Sequence, residues 1–295
     1  MGCPFWLLVI PFQSAWSRIS DEAWYETEDG IFAQVQVAQM PFHKNWAHLP
    51  SPPERFWIEV GMNNWGLAVW DGDFGPKDFV IGFEPLLDKY GERLAAYRPI
   101  TQGTEGTGKR RILGLQHERG MVFPFAVGCK GMVELSVPEE DSCSTILPVD
   151  PNSIPDSFEH PMKDVFDYKA DCVTAGDKRL VPCISLDYVI RVWLNGHEVE
   201  YLKIDAEGAD LMVVQSAGAM LSKVKTVSLE TRCDELPRPW DSPNCSTILR
   251  YMYKEGYFCY TTFREQLVKC GPPNNNICRI CGASVIDLTF TRMKR

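Results

Sequence analysis

Lys203, Asp205 and Glu207 stand close together at the end of an apolar run, within Val199-Glu200-Tyr201-Leu202-Lys203-Ile204-Asp205-Ala206-Glu207-Gly208-Ala209-Asp210-Leu211. Charged groups on a buried strand must meet solvent, each other or a ligand, because an unpartnered charge is costly to bury. Two neighbouring carboxylates split their proton affinities, which can raise one of them to a value useful for general-base work. Asp205 and Glu207 are the candidate bases, with Lys203 as their charge partner. A structural alternative stands beside this: Lys203 and Glu207 as an ion pair that closes the turn at Gly208. Three more segments end in residues of the same kind. Trp57-Ile58-Glu59-Val60-Gly61-Met62-Asn63 ends in an acid and a glycine, Val80-Ile81-Gly82-Phe83-Glu84-Pro85 in an acid and a proline, and Phe125-Ala126-Val127-Gly128 in small and apolar residues. Gly61 lets backbone approach a ligand closely. Glu84 offers two acceptor oxygens to the adjacent hydroxyls of a ribose, and its other reading is an acid that favours a helix start. The glycine pattern of a pyrophosphate-binding dinucleotide site is missing after Gly61, so a cofactor without phosphates fits better.

These residues need strands that deliver them to one edge. Apolar runs predict strands at Phe56–Val60, Phe79–Phe83, Met121–Val127, Met132–Val137, Val199–Ile204, Val224–Leu229, Tyr257–Thr261 and Val285–Thr291. Helical spacing covers Leu86–Tyr97, Ala209 to about Val224, and Ser246–Lys254 with Gly256 as its stop. Strands alternating with helices indicate an α/β fold with a mostly parallel, doubly wound sheet. In such sheets ligands bind at the carboxyl ends of the strands. Residues 1–54 are aromatic-rich and irregular and read as an N-terminal extension packed on a main domain at 55–295. A Pro- and Asp-rich stretch at about 138–180 reads as an insertion or lid within that domain. The extension's Trp16, Trp24, Tyr25 and Trp46 could stack on an acceptor ring or pack the extension in place.

The chain has 295 residues, 45% of them hydrophobic, enough to bury a full core. A formal charge of -9 excludes a nucleic-acid groove, which needs a basic stripe, and Lys109-Arg110-Arg111 is too short to reverse it. Eleven scattered cysteines do not make a small disulfide scaffold, so most are expected as buried thiols. Cys270, Cys278 and Cys281 leave thiols, disulfides and a zinc knuckle all open. Asp205, Glu207 and Glu230 could offer oxygens to a metal, but nothing in the sequence requires one. His117 is an accessory-base candidate or an ordinary histidine. The apolar start Phe5–Ile10 is too short to span a membrane, and no transmembrane segment is expected elsewhere. The reading favours the cytoplasm, with the secretory pathway as the alternative.

Taken together, Ile58-Glu59-Val60-Gly61, Gly82-Phe83-Glu84-Pro85, Ala126-Val127-Gly128, Ile184-Ser185-Leu186-Asp187, Lys203-Ile204-Asp205-Ala206-Glu207-Gly208, the strand ending in Glu230 and the closing Leu288-Thr289-Phe290-Thr291-Arg292 resemble FkbM-type methyltransferases. The Lys-Ile-Asp-x-Glu-Gly segment is the most specific of them, and the pieces span roughly residues 56 to 292. The resemblance implies a Rossmann-like class I methyltransferase fold with an antiparallel last strand, and S-adenosyl-L-methionine (SAM) as cofactor. It places Glu59, Gly61 and Asn63 at the methionine end of SAM, Glu84 at the ribose, Ala126 near the adenine and Asp205 at the methyl-transfer site. The implied activity is methylation of a hydroxyl on a small molecule or glycan. One departure matters: Met62 stands where the family usually has Ala, and Gly66 comes one residue late. That change motivates a second expectation, a methyltransferase fold kept as a binding or scaffold protein. A nucleotide-dependent oxidoreductase is the third.

Overall fold

The computed structural model describes residues 22–26, 32–36, 53–63, 77–95, 120–138, 140–150, 172, 176–232, 242–263, 266–269 and 285–292. The chain forms two compact units, Met1–Met40 and Pro41–Arg295. In the first, β1 (Glu22–Glu26) and β2 (Phe32–Gln36) pair as an antiparallel hairpin, Glu22 opposite Gln36 and Glu26 opposite Phe32. The expected irregular extension therefore contains regular structure, and Ala33-Gln34-Val35-Gln36 alternates with the period of a strand.

The second unit is built on an eight-stranded sheet. Its strands are β3 (Arg55–Val60), β4 (Asp78–Phe83), β5 (Gly120–Phe123), β9 (Val199–Ile204), β10 (Val224–Arg232), β11 (Tyr257–Phe263), β12 (Gln266–Lys269) and β13 (Val285–Arg292). Their order across the sheet is β12-β11-β13-β10-β9-β3-β4-β5. The β5-β4-β3-β9-β10 half is parallel throughout. β13 runs antiparallel between β10 and β11, so the antiparallel last strand is present as expected. The central strands are rich in apolar residues because they are largely buried on both faces, with Glu59, Glu200 and Lys203 as charged interruptions in β3 and β9. Ile58, Val80, Ile81, Leu202, Ile204 and Val227 have no exposed surface at all.

Helices connect the strands. The α1 helix (Leu87–Ala95) follows β4. A one-turn α2 (Leu186–Tyr188) runs on as a π-helical stretch, Val189–Trp193, before β9. The α3 helix (Asp210–Gln215) is shorter than expected from the sequence. Its pattern continues to Lys223 as a separate 3-10 segment, Gly218–Lys223, because Gly218 adopts a left-handed φ of 50° that breaks the helix. The α4 helix (Cys245–Lys254) is capped by Asn244, whose Oδ1 accepts from the Thr247 amide at 2.9 Å, and ends at Gly256 as the sequence implies.

A three-stranded sheet lies beyond β5. It has β8 (Asp177–Ile184) in the middle, β7 (Gly131–Val137) antiparallel on one side and β6 (Ala126–Val127) parallel on the other. The single strand expected at Met121–Val127 is thus two, divided at Pro124 and placed in different sheets. The Pro- and Asp-rich stretch joins β7 to β8. It contains a 3-10 turn at Asp141–Cys143 and a bridge between Thr145 and Ser136, and it gives its last residues to β8.

Cysteine chemistry departs from expectation. Cys129 is bonded to Cys183 and Cys143 to Cys172, and Cys245 is disulfide-bonded as well. The pairs could not be read locally, since each partner is brought in by the β7–β8 pairing from a distant position. Cys270, Cys278, Cys281, His117, Gly66, Lys109 to Arg111, Trp16, Trp46, the apolar start and residues 151–171 of the insertion lie outside the described residues. Among those described, no helix is long and apolar enough to cross a membrane.

Candidate functional site

The carboxyl ends of β3, β4 and β9 lie side by side, and the chain crosses itself there at very close range. The Asp205 amide donates to the Val60 carbonyl at 3.0 Å, and the Gly61 and Met62 amides donate to the Phe83 carbonyl at 3.0 and 3.3 Å. Gly61 has a φ of 76°, and a Cβ at this position would run into the Asp205 carbonyl oxygen. Only glycine allows the turn after β3 to lie against the turn after β9. Met62, the departure from the family's usual Ala, is buried. Its thioether fills the space that a side chain at Gly82 would take, beside Val122.

Glu84 is buried at the end of β4, and both of its oxygens are engaged. Oε2 accepts from the Asn63 amide at 2.6 Å and Oε1 from the Leu86 amide at 2.9 Å. The carboxylate fixes the loop after β3 to the start of α1. A carboxylate is an acceptor-only group with two oxygens, the chemistry two adjacent hydroxyls require. Asn63 itself sits at a φ of 38°.

One cleft joins these residues to the acidic turn after β9. Gly61, Asn63, Glu84, Lys203, Asp205, Ala206 and Glu207 all line it, with the turn at Gly61 lying directly against Asp205. Phe125, Ala126, Leu86, Leu135 and Ile146 form an apolar wall, and Asp141, Ser142 and Ser144 of the inserted stretch complete the rim. Leu86, Ala126 and Leu135 belong to the apolar cluster over the three-stranded sheet, with Ile146 packed against it. Glu59 does not line the cleft. It is buried within β3, in register with Lys203 on β9 and Gly82 on β4.

The charges are arranged differently from the structural alternative raised by the sequence. Lys203 Nζ lies 3.5 Å from Asp205 Oδ2, so Asp205 is its ion-pair partner. Glu207 takes a left-handed φ of 45° in the turn. Burial pushes its carboxyl well above the usual range, helped by the negative charges of Asp205, Glu230 and Asp210. Asp210, at the start of α3, is buried and likewise pushed well up, first by burial and then by Asp205 and Glu230; two backbone amides, its own and that of Ala206, oppose the shift. Its Oδ1 has no hydrogen-bond partner. An uncharged carboxyl suits that position. Among the described residues no group of three or more potential ligands is placed to hold a metal ion.

Two functional contributors carried no sequence assignment. Asp210 stands two residues after the Lys-Ile-Asp-x-Glu-Gly segment, with no role of its own assigned. Thr145 donates to the Glu207 carbonyl at 2.9 Å from 62 residues away, a contact with no local signature.

A family model, the methyltransferase FkbM domain, matches residues 60–259. No curated protein and no solved structure matches the chain. The match takes in the turns after β3, β4 and β9 and the inserted stretch, and so the whole cleft. On a match over more than half of its length, this chain belongs to the FkbM methyltransferase family.

Proposed function

We propose that the protein uses SAM to methylate a hydroxyl oxygen on a small molecule or glycan. The observation that carries this reading is one cleft lined both by Glu84, a carboxylate suited to a ribose diol, and by Asp205 and Glu207. Glu84 is held by two amides in a fixed orientation, and a carboxylate is the acceptor a ribose diol requires. Ala126 is small and Phe125 and Leu86 are apolar, which suits a flat purine. When bound, SAM supplies a methyl group on a positively charged sulfur.

The residues of this chain would then do three things. The Glu84 carboxylate favours a cationic cofactor, while Asp205 and Asp141 are paired with Lys203 and Lys89. Lys203 holds Asp205 by their ion pair, fixing one carboxylate at the end of β9. Glu207, with its raised proton affinity, takes the proton from the acceptor hydroxyl as the oxygen becomes nucleophilic. Holding donor and acceptor in line supplies much of the remaining rate.

The scaffold reading rested on the altered loop from Met62 to Gly66. Met62 lines the cleft with its thioether packed at Gly82, and Gly66 lies outside the described residues. Titration calorimetry with SAM and S-adenosylhomocysteine, followed by transfer assays on hydroxyl acceptors, tests the proposal. Glu84→Gln keeps the shape but puts an amide N–H against a backbone N–H. We expect its affinity for S-adenosylhomocysteine to fall tenfold or more, about 1.4 kcal/mol. No binding by the wild-type protein overturns the enzyme reading; binding without transfer to any hydroxyl favours the scaffold.

A further inference from the structure

The inserted stretch does more than form a rim. Thr145 is almost fully buried, and its backbone is bonded in both directions to Ser136 of β7, N to O at 2.9 and 3.1 Å. Its hydroxyl is used twice: Oγ1 donates to the Glu207 carbonyl at 2.9 Å and accepts from the Leu147 amide at 3.2 Å. Glu207 sits at a left-handed φ, which costs a non-glycine residue energy and persists only where its surroundings enforce it. Within the turn the Ala209 amide donates to the Ala206 carbonyl at 3.0 Å. The Thr145 hydroxyl adds a hold on the turn from outside, and it grips the strained residue itself.

We infer that Thr145 is a positioning residue for methyl transfer: its hydroxyl fastens the Glu207 carbonyl to the three-stranded sheet and so sets where the Glu207 carboxyl stands in the cleft. The inference rests on the role proposed for Glu207. It makes the inserted stretch part of the acceptor end of the site, coupled to the acid through one hydrogen bond. The Thr145 hydroxyl makes neither of these two hydrogen bonds to Gly61, Asn63 or Glu84, so the cofactor residues are held by other contacts.

Thr145→Val removes the hydroxyl and keeps the shape, and Thr145→Ser keeps the hydroxyl. Three readouts are compared across them: S-adenosylhomocysteine affinity, the pH profile of kcat, and amide hydrogen exchange over residues 206–211. For Thr145→Val we expect tenfold faster exchange in the turn, a tenfold or greater fall in kcat and cofactor affinity within twofold of wild type. The acidic limb of its pH profile moves to lower pH, because a released Glu207 carboxyl is better solvated. Thr145→Ser restores all of these. Unchanged exchange, or faster exchange with kcat and pH profile unchanged, overturns the inference, as does failure of Ser to restore what Val loses. If Thr145→Val does not fold, Thr145→Ala replaces it. If the wild-type protein transfers no methyl group, the proposed function falls on its own, and the exchange comparison alone decides whether Thr145 holds the turn.

Discussion

Asp210 carries the clearest pH signature of any single residue. Its carboxyl is buried, one oxygen has no hydrogen-bond partner, and burial and the charges of Asp205 and Glu230 raise its proton affinity. A carboxyl held above its unfolded value binds its proton more tightly in the native state. The stability gained that way is complete below the unfolded pKa and is lost as pH rises from the ordinary carboxylate range through the raised native value. Asn has the shape of the protonated acid and does not titrate. Asp210→Asn should therefore match wild type near pH 4 and exceed it in stability at pH 8, by on the order of 1 kcal/mol or more, since each pKa unit is worth about 1.4 kcal/mol. Urea midpoints at the two pH values measure this; equal midpoint differences at both would show that Asp210 titrates normally. At this scale the sequence was informative wherever a residue ended a strand. Gly61, Asn63, Glu84, Ala126, Lys203, Asp205 and Glu207 all meet in one cleft. Glu59 does not; it is buried one residue before the end of β3, in register with Gly82 and with Lys203, which does reach the cleft. The partner of Lys203 depended on turn geometry: Glu207 adopts a left-handed backbone, and it is Asp205 that lies 3.5 Å from the ammonium.

Between elements, Met62 and Gly82 form a matched pair. Met62 leads out of β3, and its side chain occupies the space above β4 that Gly82 leaves vacant. Gly82→Ala overpacks this contact and should cost about 1–3 kcal/mol. Met62→Ala opens a cavity at the same point and should cost about 2–5 kcal/mol. The double variant puts the added methyl group where the thioether was, so its loss should fall short of the sum by about 0.5–3 kcal/mol. Denaturant unfolding of the four proteins closes the cycle; strict additivity would mean that the two residues do not share the space. The strands of the large sheet were legible because burial on both faces favours apolar runs, as in Phe79–Phe83, and Val199–Ile204 keeps enough of the pattern around Glu200 and Lys203. β8 was not. Its first half is exposed and charged, and Pro182 interrupts it, a residue that argues against a central strand. β6 meets β8 only at Cys183 and Ile184, leaving Pro182 a neighbour on one side alone. The break after α3 was hidden for a similar reason: the apolar spacing continues across Gly218 although the helix does not.

For the molecule as a whole, the cysteines change the account most. The odd count and wide scatter suggested thiols, but pairing across 54 and 29 residues is a property of the tertiary fold and leaves no mark on local sequence. Disulfides persist in oxidising compartments, which argues for the secretory alternative over the cytoplasm. Both described bonds lie on one side of the site. Cys129 follows β6, which carries Ala126, and is tied to β8; Cys143 belongs to the turn that carries Asp141 and Ser142 and is tied to Cys172. The apolar wall and the rim of the cleft are therefore cross-linked, whereas Gly61 and Glu84 are held by hydrogen bonds. Closing loops of this length removes unfolded-state entropy worth on the order of 2–4 kcal/mol each. Reduction with a thiol should thus lower the unfolding midpoint. It should also weaken S-adenosylhomocysteine binding severalfold by loosening the wall at Ala126, without removing the contacts of Glu84. Thiol titration of the unfolded protein before and after reduction, paired with calorimetry on each form, tests this. Unchanged affinity after full reduction would show that the packing of Leu86, Ala126, Leu135 and Ile146 holds the wall without the covalent links.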